Sequence, residues 1–308
     1  MKILYTLFFL ILTGCILTHS QISLYYALTG LQLWFNKMIP TLLPFMIVSG
    51  IMVRMKLTEG FSALLYPILR PLFRVRRNVC YGMIMGFLCG FPMGAKVAAD
   101  LLSRNMVTRR EAEYLLAFCN NIGPMYFCSF VLPLLHRQLL VPYLFGMYGL
   151  PLLYGLFLRY TKYRDLTTLL TKTDVKGSRV SWKKESLLEE IDDAVTSSIQ
   201  SILSLGGYMI LFNLLNLLPH ILTGKPFAVL SPILEITGGL NLLGDKAPLY
   251  SLILLPFGGL SCIAQTYSCI KKTGLSITDY TLHKLLLTAV TGIYYLFWFL
   301  MAPSYFLL

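Results

Sequence analysis

Apolar residues run through this chain in long blocks, not in the one-sided stripes of soluble helices. A helix needs about 20 mostly apolar residues to cross about 30 Å of hydrocarbon. Six blocks approach or exceed that length: 3–18, 37–53, 112–134, 139–160, 194–218 and 282–303. Two more, 80–103 and 250–270, are broken near the middle, at Gly86-Phe-Leu-Cys-Gly-Phe-Pro-Met-Gly94 and Phe257-Gly-Gly-Leu-Ser261. Irregular backbone survives at membrane depth only inside protein or along a cavity, so these breaks predict re-entrant helical hairpins. The pattern therefore predicts an all-α polytopic membrane protein of about six transmembrane helices and two broken re-entrant hairpins.

Order along the chain adds an internal symmetry. Leu57-Thr-Glu-Gly-Phe-Ser-Ala-Leu-Leu-Tyr-Pro-Ile-Leu69 parallels Leu222-Thr-Gly-Lys-Pro-Phe-Ala-Val-Leu-Ser-Pro-Ile-Leu234, Gly90 then pairs with Gly259, and Asn105-Met-Val-Thr108 pairs with Gly274-Leu-Ser-Ile-Thr278. An odd number of crossings between the copies makes the repeat inverted, as in many transporters. The units are 1–36, an N-terminal helix and an interfacial segment bearing Tyr25, Tyr26, Trp34 and Phe35; 37–160, the first half; 161–193, a linker with balanced charge; and 194–308, the inverted second half. Leu12-Thr-Gly-Cys15 matches the short pattern of a lipoprotein cleavage site, but the apolar residues after Cys15 favour an uncleaved helix over a cleaved signal or a lipoprotein.

Composition agrees: 56% of the 308 residues are hydrophobic and only 13% charged, far from a soluble domain. The net charge of +12 could signal nucleic acid, so its placement decides. With the chain starting in the cytoplasm, Lys37, Arg137, Lys225, Lys246, Lys271, Lys272 and Lys284 fall outside and Lys96 within the membrane, leaving 18 of the 26 cations inside. The excess is thus an orientation signal, with both termini cytoplasmic, and no nucleic-acid partner is expected.

Candidate chemistry gathers at the breaks. Gly90 and Gly94 allow a tight turn, and Pro92 fits the first turn of a new helix. The free N–H groups there favour an anionic or polar group, and Lys96 would add to that field. A Lys at bilayer depth must face protein or water, so Lys96 either meets a solute or pairs with Asp100 one turn on. In the second half Ser261 could cap the matching half-helix and Gln265 falls near the register of Lys96. Asn120 and Asn121, before Gly123-Pro124, either offer an unwound stretch to a ligand or bond neighbouring helices. Glu235 and Thr237 are candidates for a coupling ion, or boundary residues in water.

The expected substrate set is therefore Gly90, Pro92, Gly94, Lys96, Asp100, Asn120, Asn121, Ser261 and Gln265, for a small polar or anionic solute. His19, His136, His220 and His283 lack metal spacing, Cys89, Cys119, Cys128 and Cys262 form no CxxC pair, and no phosphate-loop, GxSxG or HExxH motif is present, so neither a metal or other cofactor nor an enzyme activity is expected.

Leu42-Leu-Pro-Phe45, Gly90-Phe-Pro-Met-Gly-Ala-Lys96, Thr108-Arg-Arg-Glu-Ala-Glu113, Leu116-Ala-Phe-Cys-Asn-Asn121 and Phe257-Gly-Gly-Leu-Ser261 resemble the YlbJ-type sporulation integral membrane proteins. That family is similar to the nucleoside-recognition or Gate domains of concentrative nucleoside transporters and of the ferrous-iron transporter B membrane region. The resemblance spans 31–303 and implies a cell-membrane protein acting in spore formation. It does not carry over a nucleoside-binding set, because Gln265-Thr266 is followed by Tyr267 where the transporters have Glu, and the chain has no GTPase domain. The expectation is a transporter-like or sensing protein, the alternative a scaffold or assembly factor that uses its linker to recruit partners.

Overall fold

The computed structural model describes residues 2–135, 141–166 and 184–305. These are 81% helical with no strand, as expected for an all-α polytopic membrane protein. Five of their helices are long and apolar enough to cross a membrane: Ser20–Arg54, Val141–Tyr160, Leu187–Thr223, Pro248–Ile270 and Ile277–Met301. Most of the charged linker, including Lys172, Lys176, Arg179 and Lys183, lies outside the described residues.

The chain opens with α1 (Lys2–Thr18), a short apolar helix below crossing length. It occupies the segment expected as the first helix at 3–18 and is shorter than the five long helices. Next comes α2 (Ser20–Arg54). The interfacial segment expected around Tyr25 to Phe35 is part of this helix. Tyr26 is buried and bonded to His220 at 3.0 Å, and Trp34 donates its indole N–H to the Ile202 carbonyl at 2.9 Å. These aromatic rings face a neighbouring helix, which amphipathicity alone could not distinguish from a headgroup layer.

Two short helices, α3 (Thr58–Ser62) and α4 (Tyr66–Phe73), lead to the first hairpin. Its arms are α5 (Arg77–Cys89) and α6 (Met93–Ser103), packed together around a tip at Gly90 to Pro92. Eleven residues in α6 reach roughly 16 Å, half the hydrocarbon core. Next, α7 (Arg109–Phe118) and α8 (Pro124–Leu134) form one crossing broken at Cys119 to Gly123. The tip fits into that break: a Cβ on Gly90 would collide with the Gly123 nitrogen, and one on Gly94 would lie 2.7 Å from the Cys119 carbonyl oxygen. Only glycine permits this approach, and Gly90 also sits at φ +83°. The half closes with α9 (Val141–Tyr160).

The second half follows the same plan from the other side. It starts with α10 (Lys184–Leu214), which takes in the last residues of the expected linker, and α11 (Leu217–Thr223). The pair α12 (Ser231–Leu234) and α13 (Ile236–Leu243) fold against each other so closely that a Cβ on Gly239 would strike the Pro232 backbone. Their tip is Glu235. Then α14 (Pro248–Leu254) and α15 (Gly259–Ile270) make a second broken crossing, whose Gly259 abuts Pro232, Leu234 and Ile236 around that tip. The last helix is α16 (Ile277–Met301).

Each half is thus a long helix, a re-entrant hairpin, a broken crossing and a closing helix, giving six crossings and two hairpins. The membership of the second hairpin is corrected. Segment 250–270 does not turn back: α14 packs mainly on α16, while α15 packs on α6, α10, α12 and α16 and not along α14, so its arms part at Gly258 and Gly259, and 231–243 is the hairpin. Pairing Gly90 with Gly259 therefore aligned a hairpin tip with a helix break, because the repeated Pro-Ile-Leu lies in α4 in one half and in a hairpin arm in the other.

Two further corrections concern sidedness. Arg109 donates to the Gly274 carbonyl at 2.7 Å and Arg110 to that of Lys162 at 2.8 Å, which sets Lys271 and Lys272 at the same face as Arg104 to Arg110. Arg54 pairs with Asp193 at 2.7 Å at that face. Tyr294 and Tyr295 donate to the Pro142 and Tyr143 carbonyls, so the Met301 end of α16 lies opposite Arg109, not at its face. Lys284, expected outside, is buried within α16. Moving Lys271 and Lys272 to the basic face increases the charge asymmetry between the two faces.

Candidate functional site

Three helices that meet below the hairpin tips, α6, α10 and α15, enclose a polar groove of about 350 Å³. That is the lower end of the range of small-molecule sites. From the hairpin tip comes Pro92 and from α6 Lys96 and Asp100; from α10, Ser197, Gln200, Ser201 and Ser204; from α15 and the turn after it, Gln265, Ser268, Lys271 and Lys272. Lys96 is only 7% exposed; its Nζ lies 3.2 Å from Ser197 Oγ and 3.4 Å from Asp100 Oδ2. Both readings of Lys96 therefore meet in one geometry: it pairs with Asp100, and the pair lines the groove. Three lysines against one aspartate give the groove a positive field, which low-dielectric walls concentrate.

A second cavity of about 180 Å³ shares Lys96, Asp100 and Ser197, and continues to Arg54, Ser103 and Arg104 at the basic face. There Glu190 of α10 reaches Arg54 at 3.5 Å and Arg104 at 3.4 Å. At its deep end the groove stops at Leu205 and Gln265, which also line a narrow, mostly apolar cleft holding Phe91, Tyr126, Glu235 and Thr237. Ser261 is buried and accepts the Gln265 side-chain N–H at 2.8 Å, which fixes the amide at that boundary.

The other expected residues occupy different places. Gly90 and Gly94 serve the tip-to-break packing. Asn120 and Asn121 are buried outside the groove lining and bond internally: Asn120 Oδ1 accepts the Ala95 N–H at the start of α6, and its Nδ2 donates to Thr266 Oγ1 and Tyr280 Oη, each at 3.0 Å. Glu235 is buried, not exposed to water. It caps α13 by accepting the N–H groups of Thr237 and Gly238, and accepts Asn213 Nδ2 at 3.0 Å. Thr237 accepts the Tyr126 hydroxyl at 3.1 Å. Among the described residues, no group of His, Cys, Asp and Glu could hold a metal ion.

Two features escape a reading from the sequence. Ser197, Gln200, Ser201 and Ser204 recur every three or four residues in an apolar helix, a one-sided polar stripe that helical periodicity could have revealed. Lys284, four residues after Tyr280, carries no such signal.

Over 91% of its length the chain is 28% identical to the sporulation integral membrane protein YlbJ of Bacillus subtilis (strain 168), covering 78% of that protein. The chain is YlbJ-like. No family model matches it, and no solved structure matches it. The motifs of this YlbJ-like chain sit at structural junctions. Leu42 and Phe45 line the apolar cleft, Gly90 to Lys96 run from the tip into the groove, and Asn120 and Asn121 occupy the first break. Thr108 and Glu111 form a capping box that starts α7, and Phe257 to Ser261 make the second break.

Proposed function

We propose that this protein transports or senses a small polar or anionic solute across the cell membrane during spore formation, using the groove between α6, α10 and α15. The observation that carries the reading is the groove itself: a hydroxyl-rich, lysine-bearing cavity that runs from the basic face to the junction of two inverted halves. Lys96 is buried and paired with Asp100 on the wall of this groove, which places the pair to meet a polar or anionic solute. Inverted halves with discontinuous helices are the architecture of alternating access, where binding shifts an equilibrium between two arrangements. Glu235 and Thr237, across the Gln265 and Leu205 partition, are the candidate coupling pair. The relative's sporulation role supports the cellular setting.

The test replaces Lys96→Gln and Ser201→Leu in the native host and measures spore maturation alongside the amount of membrane-inserted protein. The expected result is maturation reduced at least tenfold at normal protein levels. Normal maturation in both variants, with loss on charge reversal of Glu189 and Asp192, would replace transport or sensing with the scaffold alternative.

A further inference from the structure

Lys284 has no place in the groove and no carboxylate within ion-pair distance among the described residues, yet its side chain is fully buried. Its Nζ donates to the Asn120 carbonyl and, at 2.7 Å, to Asn121 Oδ1. The ammonium also lies 4.6 Å from the centre of the Phe91 ring and 5.7 Å from that of Tyr280. These groups have one chemistry. The carbonyl belongs to the unwound stretch just past the C-terminus of α7, the negative end of that half-helix, and an amide oxygen and two π faces complete a cage for a cation.

Carbonyl-lined ends of broken helices are where membrane proteins hold sodium or other small cations. We propose that the Asn120–Asn121 cage is a monovalent-cation site occupied permanently by the tethered ammonium of Lys284. The charge locks the first hairpin tip, through Phe91, to the break in the α7–α8 crossing and to α16. It makes this site independent of external sodium, and the assignment holds whether or not the groove carries a solute.

The test uses the purified full chain in detergent and follows its thermal midpoint. The wild-type midpoint should be unchanged when choline replaces sodium. In Lys284→Ala it should fall by about 10 °C in choline, and at least half of that loss should return with sodium or ethylammonium, which fit the vacated cage where choline does not. No loss in choline, or a loss that no small cation reverses, would overturn the proposal. If Lys284→Ala fails to fold, Lys284→Met decides. A neutral side chain of similar length should lower the midpoint in choline if the cage needs a positive charge, whereas an unchanged midpoint would show that no positive charge is required there.

Discussion

Glu111 shows how much one side chain can hold. Its carboxylate accepts the Thr108 backbone N–H at 2.7 Å in the capping box, and takes Arg76 Nε at 2.7 Å and Nη2 at the other oxygen. It thereby joins the entrance of the first hairpin to the start of the broken crossing. Glu111→Ala removes the carboxylate that Arg76 grips and the side-chain half of the capping box, while Thr108 Oγ1 still accepts the N–H of residue 111, and should cost about 3 kcal/mol in a denaturation measurement. An unchanged midpoint would show that water replaces the carboxylate. The Thr-Arg-Arg-Glu start was legible in the sequence because capping is local chemistry. Lys284 was not, because a lysine two turns into a helix reads as a boundary residue until distant segments close over it. Glu235 was a candidate from the sequence, but its burial was not legible for the same reason: it depends on Asn213 and on the second break, both remote in sequence.

Among the elements, the hairpins depend on glycine contacts that admit no Cβ. Gly90→Ala meets the Gly123 backbone at positive φ, and Gly239→Ala meets Pro232. Each should lower stability by about 1–3 kcal/mol, as overpacking does, whereas Gly207→Ala, with nothing within 4 Å of the added methyl, should be near neutral. Equal behaviour of all three in a thermal melt would reject the tip-to-break packing. The apolar blocks and the interruptions at Gly90, Asn120 and Gly258 were all visible in the sequence. What could not be read was whether an interrupted block turns back or continues, because α5–α6 and α14–α15 have similar lengths and hydropathy. Only the packing partners of each arm separate them.

At the scale of the molecule, sidedness gives the most direct check. Single cysteines at Arg104 and Lys272, in a background without the seven native cysteines, should label from the same face, and one at Lys246 from the opposite face. Labelling of Arg104→Cys and Lys272→Cys from opposite faces would refute the arrangement of the second half. The sequence indicated an all-α multi-pass chain, but it assigned Lys271 and Lys272 to the wrong face because the second hairpin was misplaced by one element. The partition of Gln265 and Leu205 has an electrical consequence. A polar groove that reaches it from one face carries that face's potential to its floor, so the membrane voltage falls across the remaining thickness. An anion resting at Lys96 would feel little of the field, and each elementary charge carried past Gln265 would meet most of about 2.3 kcal/mol per 100 mV in one short step.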